Sequence, residues 1–420
     1  MNLTIEPGAL HGTADRMMPS KSQAHRLLIC AAQPEEETEI RNLPPSEDAE
    51  ATIRCLRAMG TDIRKTESGL FLRRGAEGPD GSLLDCGESG STLRFLLPAA
   101  AARGTEVFFT GRGKLAARPL SPLYEELQAH GIALSPQGQF PLHLSGELTG
   151  GVYRMTGSVS SQFFSGLLMA LPLLREDSVL EIEGRLESAP YVNITLQTLK
   201  LFGIRVEQKE NAFLIPGGQR FRSPGSLRVE GDWSGAAFWL AAGALSDRGV
   251  TCRGLNTDSA QGDRAIAPLL RRFGAEVTEN GEAVAVRRGS LRGIEIDASD
   301  IPDLVPALAV VAANAEGKTR IAHIRRLRLK ESDRVESVLA LIHSLGGRAE
   351  ASEDEMVIHG TGGLRGGTAD AFRDHRIAMA AAVAAGTARE PVTIIGAECV
   401  GKSYPGFFEQ YEALEGRVLR

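Results

Sequence analysis

The stretch at residues 47–60, EDAEATIRCLRAMG, is an amphipathic helical segment that ends in a glycine, and its pattern recurs along the chain. Equivalent segments end at six glycines: Gly60, Gly131, Gly203, Gly274, Gly346 and Gly416. The intervals of 71, 72, 71, 72 and 70 residues are regular enough to indicate a structural repeat. Glycine just past a helix end adopts the left-handed conformation at little cost, so we expect each glycine to end its helix in the same way.

A second set of six helices is predicted between these segments, because six runs are apolar nearly all round and should be buried. These runs are residues 27–32, 95–102, 163–174, 236–245, 304–315 and 377–385. Before each run lies a cluster suited to a helix N-terminus: Ser20-Lys21-Ser22, Ser89-Gly90-Ser91, Ser160-Ser161, Asp232 with Ser234, Asp300 with Asp303, and Asp374-His375. One capped N-terminus is therefore expected in each repeat.

Short alternating runs between the helices, such as residues 106–110 and 392–395, are typical of strands, so each repeat is predicted to be a mixed α/β unit. The sixth repeat, counted from Asp374 to the end, has only 47 residues. We expect the N-terminal strand within residues 1–9 to complete it.

This arrangement predicts two domains of three repeats each. The first domain is expected at residues 20–227, and the second at residues 1–19 together with 228–420. The chain then crosses twice between the domains, which predicts a hinge near residues 18–21 and 223–231. Ser223-Pro224-Gly225-Ser226 is rich in turn-forming residues and fits the second crossing.

Composition excludes several classes of function. The 420 residues carry a net charge of -6, with 47 Lys and Arg against 53 Asp and Glu and no basic block, which disfavours nucleic-acid binding. The chain start lacks the order of a signal peptide, and no apolar run of about 18 residues predicts a membrane span. Five scattered cysteines without a Cys-x-x-Cys pair argue against a zinc cage or a disulfide framework. A cytoplasmic location is expected.

The helix starts are candidate anion sites, because exposed N–H groups and the helix dipole favour phosphate and carboxylate. Side chains that suit an anion lie at several of them: Lys21, Ser22, Arg26, Arg94, Arg118, Arg376 and Lys402. Taken singly, the cations could be solvated or ion-paired surface charges. Their recurrence at equivalent repeat positions favours a binding role.

Hydroxyl and amide groups gather before two further helices. Ser160, Ser161 and Gln162 begin one, and capping explains one of these serines but hardly the whole cluster. Ser188 and Tyr191 flank a proline at the other, where an ordinary cap with proline in the first turn is an equally simple interpretation.

Two acidic residues are candidates for proton transfer, Asp303 and Glu331. The competing interpretation of Asp303 is a helix N-cap. For Glu331, within Arg328-Leu329-Lys330-Glu331-Ser332-Asp333-Arg334, it is a charged outer helix face. Nearby cations would keep both carboxylates ionised unless they are buried.

Nine motifs in order resemble those of the EPSP synthase family and span nearly the whole chain. They are Pro19-Ser20-Lys21-Ser22-x-x-x-Arg26, Gly87-x-Ser89-Gly90-x-x-x-Arg94, Arg118-Pro119, Ser160-Ser161-Gln162, Pro190-Tyr191, Ile301-Pro302-Asp303, Lys330-Glu331-x-Asp333-Arg334, Asp374-His375-Arg376 and Lys402-Ser403-Tyr404-Pro405. The resemblance implies a two-domain inside-out α/β barrel, which agrees with six repeats of about 70 residues, three per domain.

The resemblance also implies an activity and its substrates. Enzymes of this family transfer the carboxyvinyl group of phosphoenolpyruvate to the 5-hydroxyl of shikimate 3-phosphate and release phosphate, in the pathway to chorismate and the aromatic amino acids. By motif position, the phosphoenolpyruvate site would comprise Lys21, Gly90, Arg118, Gln162, Arg334, Arg376 and Lys402. Shikimate 3-phosphate would be held by Ser22, Arg26, Ser160, Ser161, Ser188 and Lys330, and Asp303 would contact its ring hydroxyls. Tyr191 is a further candidate substrate-binding residue, as is Arg326, which stands where the family often has an asparagine that contacts shikimate.

The resemblance further implies catalysis without a metal or an organic cofactor. Asp303 would accept the proton of the hydroxyl, Glu331 would exchange the methyl proton, and Lys21 would assist proton transfer at the phosphate. We expect a monomer that acts on small molecules and is a target of glyphosate. We also expect an open and a closed state that differ by ligand.

The chain departs from the family pattern at four positions: Pro19, Glu88, Asn193 and Arg326. Two alternatives stay open. A sister enzyme acts on UDP-N-acetylglucosamine and usually carries a reactive cysteine before the Arg-Pro pair, but residues 111–118 contain none. A non-catalytic phosphometabolite sensor could use the same cations, although the presence of both Asp303 and Glu331 argues against it.

Overall fold

The computed structural model describes residues 1–419 and consists of short strands and helices in alternation. The strands are β1 (Asn2–Glu6), β2 (Gly12–Ala14), β3 (Thr38–Arg41), β4 (Asp62–Lys65), β5 (Gly69–Arg73), β6 (Ser82–Asp85), β7 (Val107–Thr110), β8 (Ile132–Leu134), β9 (Leu142–Gly146), β10 (Gly151–Thr156), β11 (Ser178–Glu183), β12 (Glu207–Gln208), β13 (Ala212–Ile215), β14 (Ser226–Arg228), β15 (Val250–Arg253), β16 (Glu276–Asn280), β17 (Ala283–Arg287), β18 (Glu295–Asp297), β19 (Glu316–Ala322), β20 (Arg348–Ala351), β21 (Glu355–Thr361), β22 (Gly367–Asp370), β23 (Val392–Ile395) and β24 (Arg417–Leu419).

The α-helices alternate between two kinds. The odd-numbered helices, which are mostly buried, are called inner, and the even-numbered helices, which have an exposed face, are called outer. They are α1 (Lys21–Ala31), α2 (Glu47–Ala58), α3 (Gly90–Arg103), α4 (Leu123–Ala129), α5 (Ser161–Ala170), α6 (Ala189–Leu201), α7 (Trp233–Ala244), α8 (Ile266–Phe273), α9 (Val305–Asn314), α10 (Arg334–Ser344), α11 (His375–Ala385) and α12 (Phe407–Ala413). The odd-numbered helices contain the predicted apolar runs, and α7 is buried along its whole length. This burial agrees with their apolar composition on every side.

Each repeat supplies a four-stranded sheet of the same topology. In the second repeat the order is β6-β7-β9-β8, with β6 parallel to β7 and the other neighbours antiparallel. The inner helix links the parallel pair, as parallel strands require a crossover connection. The third and fifth repeats follow the same plan, with orders β10-β11-β13-β12 and β18-β19-β21-β20.

Three sheets are completed by strands from distant parts of the chain. β1 pairs antiparallel with both β23 and β24, which confirms that the N-terminal strand completes the sixth repeat. β2 pairs with β15 in the fourth repeat, and β14 pairs with β3 in the first.

The chain divides into two compact units. One, which we call the hydroxyl unit, is Pro19–Val229, and the other, the carboxylate unit, is Met1–Met18 with Glu230–Arg420. Each has its own hydrophobic core. In the first, α3 packs against α1 and α5, and in the second α7, α9 and α11 pack against one another. The predicted hinge at the two crossings stays a prediction.

The helix ends follow the predicted pattern with two corrections. Five of the six inner helices have the expected side-chain cap, from Ser20, Ser89, Ser160, Asp232 and Asp374. α9 instead begins at Val305 with Leu304 as its N-cap residue and no side-chain cap, so the capping interpretation of Asp303 is wrong. The first five repeat glycines have positive φ, but in the sixth repeat Glu415 takes that conformation (φ 65°) in place of Gly416. Gly416 packs instead against the ring of Tyr411.

Among residues 1–419, no helix has the length and apolar composition needed to cross a membrane.

Candidate active site

The starts of α1, α3 and α5 form the framework of a candidate site in the hydroxyl unit. The side chains of Ser20, Ser89 and Ser160 each accept one backbone N–H of the first turn, at 3.4, 3.2 and 3.3 Å. A helix start has four N–H groups without intrahelical partners, so one cap leaves others for an anion. The three capped helix starts are therefore candidate anion sites.

Lys21 is the first residue of α1, and an acidic residue of α2 orients it. Its Nζ donates to Oδ2 of Asp48 at 2.9 Å, and both side chains are less than one-fifth exposed. Ser22 follows in the same turn. Sequence analysis missed Asp48 because acidic residues in a first helical turn are already explained by the helix dipole.

Arg26 is buried and almost fully hydrogen-bonded. Nε donates to Thr195 Oγ1 at 2.7 Å, Nη1 to the carbonyl of Ser22 at 2.6 Å, and Nη2 to Ser165 Oγ and the carbonyl of Tyr191 at 3.0 and 2.9 Å. A guanidinium has five N–H donors, so one remains for a ligand. Burial lowers the pKa of Arg26 to about 10, which leaves the side chain charged at neutral pH.

A polar bridge joins the first turns of α3 and α5. Nη1 of Arg94 donates to Oε1 of Gln162, whose Nε2 donates to Oγ of Ser91, both at 2.8 Å. Gly90 lies against Arg118, since a Cβ at position 90 would be 2.6 Å from Arg118 Nη1. Any side chain at position 90 would displace this guanidinium.

Ser188 precedes α6 in a strained conformation. It is buried and has a left-handed backbone, with φ of 56°. Non-glycine residues in this region cost about 1–3 kcal/mol and cluster at functional sites. Ser160 and Ser161, at the start of α5, are also buried.

Arg334 is the centre of the candidate site in the carboxylate unit. It is completely buried and contacts three carboxylates: Nη1 donates to Asp303 at 2.8 Å, Nη2 to Glu331 at 2.7 Å, and Nε to Asp374 at 3.0 Å. The planar guanidinium serves the three acceptors from three different nitrogens in fixed directions, whereas a lysine donates from a single nitrogen. One side chain therefore orients both acids predicted to transfer protons.

Asp303 is surrounded by three cations. Besides Arg334, Nη2 of Arg376 donates to its Oδ2 at 3.0 Å, and Nζ of Lys330 lies 3.8 Å from its Oδ1. Burial by itself would raise the pKa of Asp303, but Arg376, Lys330 and Arg334 outweigh burial and hold the pKa well below its usual value. In this arrangement Asp303 is ionised and a weak proton acceptor.

Lys330 has an unusual pKa for a lysine. Burial, assisted by the nearby charges of Arg326 and Arg334, lowers the pKa of Lys330 to about 8, against the opposing effect of Asp303. The charge of Lys330 can therefore change near physiological pH.

Lys402 and Arg376 lie next to a strained segment. Nζ of Lys402 donates to the carbonyl of Arg373 at 3.0 Å. Phe372 and Arg373 both have positive φ, of 51° and 57°, directly before α11. This geometry fixes the start of the helix that carries Arg376.

The sequence did not assign two residues of this cluster to the site: Asp374 was predicted only as a helix cap and motif member, and Ser332 was not singled out. Asp374 caps α11 and also binds Arg334, and Oγ of Ser332 donates to it at 3.1 Å. The signal for Asp374 was its place two residues before Arg376. Ser332 gave no signal that distinguishes it from a solvent-exposed residue.

The predicted site residues thus form two groups. The hydroxyl unit contains Lys21, Ser22, Arg26, Gly90, Arg118, Ser160, Ser161, Gln162, Ser188 and Tyr191, all at helix starts or in the segments around them. The carboxylate unit contains Asp303, Arg326, Lys330, Glu331, Arg334, Arg376 and Lys402. That the two groups meet in one site stays a prediction.

Comparison with known proteins decides the family. The sequence model of the family described as EPSP synthase (3-phosphoshikimate 1-carboxyvinyltransferase) matches residues 5–411. The chain belongs to the EPSP synthase family. Its relatives include 3-phosphoshikimate 1-carboxyvinyltransferases of Clostridium kluyveri, 43% identical over 99% of this chain and 98% of that one, and of Clostridium acetobutylicum, 41% identical over 99% and 97%.

The solved structures agree with this assignment. EPSP synthase from Acinetobacter baumannii is 25% identical, covers 100% of both chains and superposes with a TM-score of 0.84. The enolpyruvyl transferase NikO from Streptomyces tendae, at 20% identity and a TM-score of 0.79, shares the fold. The predicted two-domain inside-out α/β fold is therefore confirmed. As a member of the EPSP synthase family, the chain is a transferase, as predicted.

Proposed function

We propose that this chain transfers the carboxyvinyl group of phosphoenolpyruvate to the 5-hydroxyl of shikimate 3-phosphate and releases phosphate. Membership of the EPSP synthase family supports this function. The observation that carries it is Arg334, which holds Asp303 and Glu331 on one guanidinium. Two acids held at fixed positions suit a reaction in which one proton leaves an oxygen and another reaches a carbon.

The cations of the two units have an electrostatic task in this proposal. Two like unit charges about 4 Å apart repel by roughly 4 kcal/mol at an effective dielectric near 20. Both substrates carry a phosphate and a carboxylate, so they approach each other only if Lys and Arg side chains neutralise them. We therefore propose that closure of the two units accompanies ligand binding.

The chemistry requires two steps. The 5-oxygen bonds to the central carbon of phosphoenolpyruvate while its proton passes to Asp303. This step requires Glu331 in its protonated form, which gives its proton to the methylene carbon so that it becomes a methyl group. In the second step the methyl group returns a proton to Glu331, the double bond re-forms, and the bond from carbon to the phosphate oxygen breaks. As phosphate leaves, it takes up the proton held at Asp303, and Lys21 assists this proton transfer.

The low pKa of Asp303 sets a condition on this mechanism. While three cations surround it, Asp303 is a poor base. Substrate anions that draw Arg334 or Arg376 towards themselves would raise the pKa of Asp303. In this proposal Asp303 therefore becomes a competent base only when phosphoenolpyruvate is bound.

We further propose that the chain acts as a monomer in the cytoplasm and that glyphosate, a small anion, competes at the phosphoenolpyruvate site beside Gly90. All five cysteines are buried free thiols, which is compatible with a reducing compartment. Each unit has its own core, so no partner subunit is needed to bury one.

Phosphate release tests the proposed function. The purified chain is incubated with phosphoenolpyruvate and either shikimate 3-phosphate or UDP-N-acetylglucosamine, with and without glyphosate. We expect release only with shikimate 3-phosphate and inhibition by glyphosate. Release only with the nucleotide sugar would support the sister activity, and binding of both substrates without release would support a sensor.

A further inference from the structure

A buried chain of hydrogen bonds runs beneath the candidate site and takes no part in the mechanism above. His25 Nδ1 lies 2.7 Å from Thr52 Oγ1, which lies 2.8 Å from Thr92 Oγ1, and Thr92 donates to Ser89 Oγ at 2.8 Å. Each of these side chains is at most 1% exposed. The chain connects α1, α2 and α3.

The proton positions in this chain follow from what surrounds His25. Its Nε2 is buried and has no hydrogen-bond partner among residues 1–419. An unpaired N–H is costlier to bury than an unpaired acceptor, so the proton belongs on Nδ1. Burial, with Lys21 and Arg26 adding to it against Asp48, lowers the pKa of His25 to about 3, so the ring is neutral.

A neutral donor at one end gives the chain a single direction. His25 donates to Thr52 and Thr52 to Thr92, since each hydroxyl has one proton. The proton of Thr92 has two acceptors, Ser89 Oγ at 2.8 Å and, less closely, the backbone carbonyl of Asp48 at 3.3 Å. Ser89 Oγ also accepts the backbone N–H of Thr92 as the cap of α3. The chain therefore ends at the helix start that contains Gly90.

The other end is coupled to Lys21. His25 lies one turn after Lys21 on α1, and Thr52 lies one turn after Asp48 on α2, so each pair shares a helix face. Lys21 and Asp48 form an ion pair across the same two helices. Two parallel connections thus join α1 to α2, and Thr92 extends one of them to α3.

We propose that His25, Thr52 and Thr92 are positioning residues. They fix Lys21 and the first turn of α3, which begins at Gly90, relative to each other and thereby set the affinity for phosphoenolpyruvate. This inference rests on the proposed function, because it assigns both ends of the chain to the phosphoenolpyruvate site. The three side chains lie beneath the helix starts and do not touch substrate. Misplacement of a binding group by about 1 Å can cost about a hundredfold in rate.

Thr52→Val tests the inference, because it keeps the shape of the side chain and removes the hydroxyl. We expect the KM for phosphoenolpyruvate to rise about tenfold, with kcat and the KM for shikimate 3-phosphate within about twofold of wild type. Thr52→Ser restores the hydroxyl and should restore the KM. Thr198→Val is the matched control, since Thr198 is equally buried but donates only along its own helix, to Ile194.

An unchanged KM for phosphoenolpyruvate in Thr52→Val, equal rises of both KM values, or failure of Thr52→Ser to restore the KM would overturn the inference. If Thr52→Val does not fold, Thr92→Val breaks the next bond and carries the same expectation. The wild-type assay is run first: no phosphate release there contradicts the proposed function, whereas an active wild type with an unaffected Thr52→Val contradicts only this inference.

Discussion

The two units hold their arginine side chains with partners of different charge. In the hydroxyl unit, Lys21 pairs with Asp48, but Arg26 is held by hydroxyls and carbonyls, and Arg94 contacts an amide and a carbonyl. In the carboxylate unit, Arg334 and Arg376 are held by acids. Neutral partners fix a cation without cancelling its charge, whereas acidic partners cancel the charge and become oriented themselves. We infer that the arginines of the first unit attract phosphate and that the second unit supplies the two acids that transfer protons.

The largest effect is expected where one cation serves three acids. Arg334→Lys cannot contact Asp303, Glu331 and Asp374 together. We expect phosphate release to fall about a thousandfold and the free energy of unfolding to fall by about 3–5 kcal/mol, because buried carboxylates lose their partner. Steady-state kinetics and chemical denaturation measure both.

Arg320→Lys is the control for this variant, because Arg320 pairs with Glu355 at an exposed site. Its free energy of unfolding should change by less than about 1 kcal/mol. If Arg334→Lys behaves like this surface variant, the carboxylate unit does not depend on Arg334.

The next effect tests the hydroxyl unit. In Gly90→Ala the new methyl group would lie 2.6 Å from Nη1 of Arg118 and push the guanidinium away. We expect the KM for phosphoenolpyruvate to rise about tenfold or more, with little change for shikimate 3-phosphate. Gly8→Ala, where nothing lies within 4 Å of the added Cβ, should leave both KM values unchanged. Equal responses of the two variants would contradict the placement of Arg118.

A smaller effect should appear in the pH dependence. The pKa of Lys330 is lowered to about 8, so its charge is lost above that pH in the folded protein. The KM for shikimate 3-phosphate should therefore rise several-fold between pH 7.5 and about 9. Lys330→Arg keeps the charge and should make this KM independent of pH over the same range. A wild-type profile as flat as that of Lys330→Arg would show that Lys330 does not hold the phosphate.

The smallest effect concerns the end of α12, the outer helix of the sixth repeat. Glu415 has positive φ at the position that glycine occupies in the other repeats. Glu415→Gly should raise the free energy of unfolding by about 1 kcal/mol without changing kcat. Gly203→Ala, at the equivalent position in the hydroxyl unit, should lower it by a similar amount. Thermal denaturation distinguishes these results from no change.

The sequence predicted the repeating elements because their signals are local. Apolar runs, caps and end glycines lie within a few residues of one another, and β1 was expected in the sixth sheet because that repeat was short. Among the predicted helix caps, the one assigned to Asp303 was wrong. Spacing does not reveal whether a carboxylate turns to its own helix or to Arg334, 31 residues further along the chain.

The sequence identified the site residues as members of motifs, but it did not show which residues they contact. The resemblance supplied Arg26 and Arg334, yet Thr195 and Ser165 lie 169 and 139 residues from Arg26. No periodicity connects residues so far apart. The neutral partners of Arg26 and the acidic partners of Arg334 therefore became known only from the structure.

Glu331→Gln offers the most direct test of the division between the units. The amide keeps the shape of the side chain, whose Oε2 lies 2.7 Å from Arg334, but cannot exchange a proton. We expect calorimetry to give a Kd for shikimate 3-phosphate within twofold of wild type and phosphate release at least about a hundredfold slower. Release at the wild-type rate, or loss of shikimate 3-phosphate binding together with release, would contradict the account.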